Sequence, residues 1–298
     1  MSRKMLINMA HQEECRIAII NEEELLELEL ESNSGKKLKG NIYKAKVARI
    51  EPSLQAAFLD IGTERNGFLQ INDVHPAYFT GKANNRRSSK PIKSRRRKME
   101  HVLKEGQEIV VQVVKEEREM KGATLTTYIS LPGRYVVVMP GSDRGGISRK
   151  IHDSKQRNHL RNLTSELEVP TGIGMIIRTA GLDRSQSELS RDLSLQLTLW
   201  QKILSKAQTA ESPSVLYRES DLATRVIRDY FTPDIREIFI DCTTTDLTVF
   251  IRPNMRSHFS TSTPKYFFHN IFFSSKAALR HSLIFIIHIR ISQSIIMI

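Results

Sequence analysis

The sequence predicts an α+β chain of more than one domain, with a small antiparallel barrel ahead of a mixed α/β region. Three observations carry this. Residues 41–70 (NIYKAKVARIEPSLQAAFLDIGTERNGFLQ) alternate apolar and polar residues and turn twice on glycine, the period-two pattern of half-buried strands. Two more strand patterns, QEIVVQVVKEE and ATLTTYISL, come after an interruption. Beyond them strands interleave with helical patterns, a texture distinct from a barrel. A chain of 298 residues has room for two or three such domains, each with its own core.

Taken in order, residues 4–32 read as three strands: KMLINM, RIAII and ELLELELES. The last has helical propensity, but its Leu/Glu alternation suits a strand. Asn33, Ser34 and Gly35 mark a break. Strands then fill 41–70, and the two later patterns, separated by the turn-like REMKG, bring the total to five. Five strands with a long interruption between the third and fourth fit an oligonucleotide-binding barrel at 36–131. GRYVVVMP is a strand, GSDRGGISRKI a glycine-rich loop, and DSKQRNHLRNLTSEL a helix capped by Asp153 or Ser154. GMIIRTAG is a short buried strand ending in a tight loop. LDRSQSELSRDLSLQLTLWQKILSKAQ is a long amphipathic helix with Leu189, Leu193, Leu197, Trp200 and Leu204 on one stripe. SPSVLYRES is a strand, DLATRVIRDYF a helix and EIFIDC a strand.

From Asn254 to Ile298 the chain contains no Asp, Glu or Gly, and neither a helical nor a strand period persists. Its apolar run is interrupted by His288 and Arg290, so the longest charge-free piece is too short to span a bilayer. This tail, 251–298, reads as an out-of-frame or degenerate extension that stays disordered. The N-terminus lacks an apolar signal core, which predicts a cytoplasmic location. Two cysteines far apart, Cys15 and Cys242, exclude a cysteine-based zinc knuckle and argue against a disulfide framework. Cys15 in its strand-like run is expected to be buried and inert.

The formal net charge is +12, and nine Lys or Arg with no acidic residue lie between Lys82 and Lys98. Such a block repels itself and predicts a solvated, disordered loop that strengthens RNA binding without sequence choice, or merely stays soluble. On an oligonucleotide-binding barrel, one strand face exposes aromatics on which unpaired bases stack, with cations nearby for phosphates. Phe58 and Phe68 are the candidate platforms, though either is equally an ordinary core residue. Lys115 and Lys121 flank a turn and are candidate phosphate contacts or plain surface lysines. Arg178 to Gly181 (RTAG) offers a guanidinium, a hydroxyl and permissive backbone at a strand end, the parts of a phosphate pocket or simply a strand end. Gly133 could let backbone approach the same ligand, and Arg144 and Arg149 lie in the neighbouring loop. No recognisable nucleophile triad, phosphate-binding loop or HExxH occurs. Asp60, Asp183, Asp241 and Asp246 are scattered, with no strand-borne pair to hold a magnesium ion.

MLINMAHQEECRIAII, NIYKAKVARIEPSLQAAFLDIGTERNGFL, VKEEREMKGATLTTYISLPGRYVVVMP, GGISRKI and IIRTAGLDRS together resemble the N-terminal part of the ribonuclease E/G family, from Met1 to about Thr248. The resemblance implies a ribonuclease-H-like subdomain (1–35 and 224–250) interrupted by an OB-fold barrel of the ribosomal protein S-one type (36–131) and a 5′-phosphate sensor subdomain (132–223). It implies that Phe58, Phe68 and Lys121 hold single-stranded RNA. It further implies that Arg178 and Thr179 clasp a 5′-monophosphate, with Gly133 and Val137 shaping the wall. The family's activity is Mg²⁺-dependent endonucleolytic cleavage of RNA in messenger decay and ribosomal RNA processing. Its DINS-like and IDFIDM-like aspartate motifs and its zinc-binding CPxC link between protomers do not occur here, so the resemblance supplies no catalytic residue, no Mg²⁺ or Zn²⁺ ligand and no link for a homo-oligomer. Three readings remain open: a piece that binds RNA and senses its 5′ end but does not cut alone, an enzyme completed by a partner or continuation, and a non-catalytic RNA-binding protein.

Overall fold

The computed structural model describes residues 3–8, 14–22, 24–32, 37–79, 98–117, 121–142, 145–220, 222–231, 235–242, 272–279 and 282–288. In chain order come β1 (Arg3–Asn8), β2 (Glu14–Asn21), β3 (Glu24–Ser32), β4 (Ile42–Glu51), β5 (Ala56–Asp60), β6 (Gly67–Gln70), β7 (Glu108–Lys115) and β8 (Thr124–Thr126). They are succeeded by β9 (Leu131–Pro132), β10 (Val136–Pro140), β11 (Gly146–Ile147), α1 (Ser154–Ser165), β12 (Ile173–Ile177), α2 (Gln186–Thr209) and β13 (Ser214–Tyr217). Last are α3 (Leu222–Tyr230), β14 (Ile235–Cys242), β15 (Phe272–Leu279) and β16 (Ser282–His288). The chain divides into two compact units, Met1–Lys37 with Ser220–Ile298, and Leu38–Glu219.

The first unit is a sheet in the order β15-β16-β14-β1-β2-β3. β1 pairs antiparallel with β2 and parallel with β14, so distant segments of the chain share one sheet. Alternate residues Met5, Ile7, Cys15, Ile17 and Ile19 are buried and meet Leu222, Val226 and Ile227 of α3. The strand reading of the Leu/Glu run holds, but its faces are the reverse of the usual assignment. Glu31 and Glu29 take the Arg225 guanidinium (3.2 Å) and the Tyr230 hydroxyl (3.5 Å) of α3, while Leu25, Leu28 and Leu30 are more than half exposed. The tail departs from its expected disorder, because β16 pairs with β14 and β15 with β16. SLIFIIH is a continuous apolar, β-branched run, which lacks the two-residue alternation by which half-buried strands are read. Residues 243–271, 280–281 and 289–298 of that region lie outside the described residues.

In the second unit β4, β5, β6, β8 and β7 pair in that order and β7 returns to β4, closing a five-stranded barrel. Tyr43, Ala45, Val47, Ala57, Leu59, Leu69, Ile109, Val111, Val113 and Leu125 fill it. The basic block lies outside the described residues except for Lys98, which leads into a 3-10 turn whose Met99 is fully buried in the barrel core. β13, expected with the segment after the barrel, instead pairs antiparallel with β4.

A second sheet in the order β11-β12-β10-β9 lies beyond the barrel in the chain. Val136, Val138, Met175 and Ile177 from its strands pack with Leu160 of α1 and Leu189, Leu193 and Ile203 of α2. Burying each such side chain is worth about 1.5–3 kcal/mol. Asp153 caps α1, accepting the Lys155 N–H at 3.1 Å. Ser185 and Glu188 cap α2 reciprocally. The stripe of α2 ends on buried Ile203, whereas Leu204 is 41% exposed.

Candidate nucleic-acid interface

On β5 and β6, Ala57, Leu59, Gly67 and Leu69 point into the barrel, so the intervening Phe58 and Phe68 must point out. The two are directly opposed across the strands. Their ring centroids are 5.7 Å apart with planes tilted by 58°, an arrangement worth about 0.5–1.5 kcal/mol beyond burial. Both are half-buried, leaving ring surface on the outside of the barrel. The choice between core and outer face is thereby decided for the outer face.

The pair belongs to a longer row. Arg49 on β4 opposes Phe58, Phe68 opposes Thr124 on β8, and Thr124 opposes Lys115 on β7. The Arg49 guanidinium lies over the Phe58 ring, 5.0 Å from its centroid. Strict alternation would send both cations inward, because Val47 and Val113 are buried and lie two residues earlier. A bulge intervenes in each strand, between Val47 and Arg49 and between Val113 and Lys115. An extra residue on one strand flips the facing of every later residue in it, and both cations arrive on the aromatic face. Alternation in the sequence does not reveal Arg49, because its facing depends on a register shift. Lys121 is exposed and closely precedes Ala123, whose carbonyl accepts the Phe68 N–H at 2.7 Å. Between them Gly122 is required by close approach, since a Cβ there would overlap the Asn66 carbonyl oxygen.

The residues of the second candidate site also converge. Arg178 directly succeeds β12, and its Nη1 donates to the Gly133 carbonyl at 2.6 Å, while its backbone N–H donates to the Tyr135 carbonyl at 2.7 Å. Thr179 is exposed, with its hydroxyl 3.3 Å from that of Ser148. Val137 is half-buried and lies between Pro132 and Ile176, the strand partners on either side. Gly133, Val137, Arg178 and Thr179 thus lie around the β9–β10 turn and the end of β12. Tyr135 carries the guanidinium groups of Arg134 and Arg184 over its ring at 5.3 and 5.4 Å. Arg149 is exposed in the loop after β11, and Arg144 lies outside the described residues.

Two contributors here escape a reading of the sequence. Ser148 carries no local signal, since only the parallel pairing of β11 with β12 brings it to Thr179. Asp192 is 8% exposed on α2 and accepts the backbone N–H groups of Arg134 (3.3 Å), Tyr135 (2.7 Å) and Val136 (3.0 Å). A carboxylate inside the stripe formed by Leu189 and Leu193 is a legible anomaly, and it is the one clue the sequence offers to this residue.

Among the described residues, no three His, Cys, Asp or Glu side chains gather as a metal site requires. Asp60 ends β5, and its carboxylate accepts the Gly62 N–H at 2.8 Å. No described helix is long and apolar enough to cross a membrane.

Comparison with known proteins bears on both sites. Residues 36–127 match the S1 RNA binding domain, and residues 130–265 match the ribonuclease E/G family. The chain is 45% identical over 240 residues to ribonuclease E of Escherichia coli, covering 80% of this chain and 22% of that protein. It is 43% identical over 240 residues to a putative ribonuclease E of Buchnera aphidicola from Baizongia pistaciae, covering 80% of this chain and 56% of that one. To ribonuclease G of Escherichia coli it is 34% identical over 243 residues, 81% of this chain and 48% of that protein. The chain thus spans between about a fifth and just over half of the length of these relatives.

Proposed function

Because this chain belongs to the ribonuclease E/G family, we propose that it binds single-stranded RNA along the Arg49–Phe58–Phe68–Thr124–Lys115 row and reads a 5′-monophosphate at Arg178 and Thr179. In this reading it is the RNA-holding and 5′-end-sensing part of an endoribonuclease of the E type, acting in messenger decay and ribosomal RNA processing. Residues 132–223 are the sensor, and residues 1–35 with 224–250 belong to a ribonuclease-H-like subdomain.

One observation carries the proposal: two bulges turn Arg49 and Lys115 onto the outer face that Phe58 and Phe68 already occupy. Every base has an aromatic face, so unpaired RNA can stack there regardless of sequence, at about 1–3 kcal/mol per base. The flanking cations and Lys121 meet phosphates. At the 5′ end, the Gly133 carbonyl fixes the Arg178 guanidinium, a fork suited to two phosphate oxygens. The Thr179 hydroxyl donates to a third. Val137, on the half-open face of its sheet, forms the apolar wall beside them.

The test is a comparison of affinities for one single-stranded RNA carrying either a 5′-monophosphate or a 5′-hydroxyl. The parent chain is expected to prefer the monophosphate, and Arg178→Ala is expected to abolish the preference while binding 5′-hydroxyl RNA as before. An unchanged preference in Arg178→Ala removes the sensing role. Failure of the parent to bind either RNA removes the whole reading.

A further inference from the structure

We infer that Asp192 is a positioning residue for the 5′-phosphate pocket, acting on the ligand only through the turn at 133–136 and Arg178. The inference rests on the reading of Gly133, Val137, Arg178 and Thr179 as that pocket.

The geometry forms an unbroken chain. The buried Asp192 carboxylate accepts three consecutive backbone N–H groups, at 3.3, 2.7 and 3.0 Å. Three N–H groups converging on one charge make the turn rigid, because charge-assisted hydrogen bonds are roughly twice as strong as neutral ones. The same turn is closed by the Gly133 N–H donating to the Val136 carbonyl at 2.8 Å. It then presents two carbonyl oxygens to Arg178: Gly133 takes the guanidinium at 2.6 Å and Tyr135 takes the backbone N–H at 2.7 Å. Asp192 therefore holds the turn whose carbonyl oxygens take both ends of Arg178.

Gly133 is part of the same device. A Cβ at that position would stand 2.6–2.9 Å from the carboxylate atoms of Asp192. Glycine is needed there so that the turn can close over the carboxylate. A buried carboxylate is costly unless fully hydrogen-bonded. An apolar residue would satisfy the stripe of α2 more cheaply, so a role in shaping the turn accounts for an aspartate at this place.

The test measures affinities of the full chain for 5′-monophosphate and 5′-hydroxyl forms of one RNA, in the parent, Asp192→Asn, Arg178→Ala and the double variant. Asparagine keeps the shape but replaces one acceptor oxygen with a donor facing an N–H. Asp192→Asn is expected to bring the monophosphate preference to within about twofold of unity, with affinity for 5′-hydroxyl RNA unchanged to about twofold. In the Arg178→Ala background it should cost nothing further, since the two act in series. Full preference in Asp192→Asn overturns the inference, as does an equal loss for both RNAs or an additional loss in the double variant. Absence of preference in the parent overturns the pocket reading and the inference with it, whereas an Arg178-dependent preference indifferent to Asp192 overturns the inference alone. Should thermal melting show Asp192→Asn unfolded, Gly133→Ala presses on the same carboxylate from the turn. A folded Gly133→Ala with full preference is then the refuting result, and selective loss the expected one.

Discussion

Truncating Phe58 to alanine separates an outward platform from a core residue. Phe58 touches Phe68 at 5.7 Å and carries the Arg49 guanidinium at 5.0 Å. Losing the aromatic pair costs about 0.5–1.5 kcal/mol and losing an exposed cation–π contact about 0.5–1 kcal/mol. Phe58→Ala should thus destabilise the fold by about 1–2.5 kcal/mol. Its neighbour Leu59 is fully buried on the opposite face, and Leu59→Ala should cost about 2–5 kcal/mol. RNA binding should show the opposite ranking. One lost stacking platform is worth about 1–3 kcal/mol, or roughly 5- to 150-fold in Kd, whereas folded Leu59→Ala should bind nearly as the parent does. Fluorescence anisotropy with a 5′-hydroxyl oligonucleotide at fixed salt gives the affinities, and urea unfolding gives the stabilities. A folded Phe58→Ala that binds within about twofold of the parent refutes the platform role. So does a stability loss as large as that of Leu59→Ala.

Replacing Arg49 or Lys115 by alanine should each flatten the plot of log affinity against log salt by about 0.7, the share of one phosphate contact on a single strand; an unchanged slope for either removes it from the interface. Gly122→Ala forces a Cβ against the Asn66 backbone and should cost about 1–3 kcal/mol of stability, so a parent-like denaturation midpoint contradicts the geometry. Ser185→Ala should cost about 1 kcal/mol near neutral pH by removing the α2 cap. Burial raises the pKa of Glu188 in the same cap, but the Ser185 N–H and hydroxyl and the Arg184 guanidinium outweigh it and hold the carboxyl below its ordinary range. A folded-state pKa lowered in this way stabilises above the unfolded value and is lost as pH falls through the folded one. The stability difference between the parent and Glu188→Gln should accordingly shrink on acidification, and a difference independent of pH would falsify the assignment.

How much was legible depends on the reach of each signal. The five barrel strands could be read because the alternation in 42–51 and the short apolar runs in 56–60 and 108–115, bounded by turn signals, are local patterns. The caps of α1 and α2 are local too. The helical period puts Leu204 on the buried stripe of α2, yet Ile203 takes the last buried position, because 3.6 residues per turn leaves two adjacent positions nearly equivalent after several turns. In β3 the period is local but the facing is not, since Glu29 and Glu31 are drawn to polar groups of α3 about two hundred residues away.

The candidate RNA face divides in the same way. The sequence put Phe58 and Phe68 in strand patterns beside small or polar neighbours and left each equally a base platform or a core residue. It also placed Arg178 and Thr179 at a strand end. Only the tertiary structure decided that the two rings oppose each other on the outer face, that Arg49 and Lys115 join them through bulges, and that buried Asp192 shapes the turn holding Arg178. Periodicity and capping are written in neighbouring residues. Register, bulges and the partner of a buried charge are set by strands and helices that meet only when the chain closes on itself.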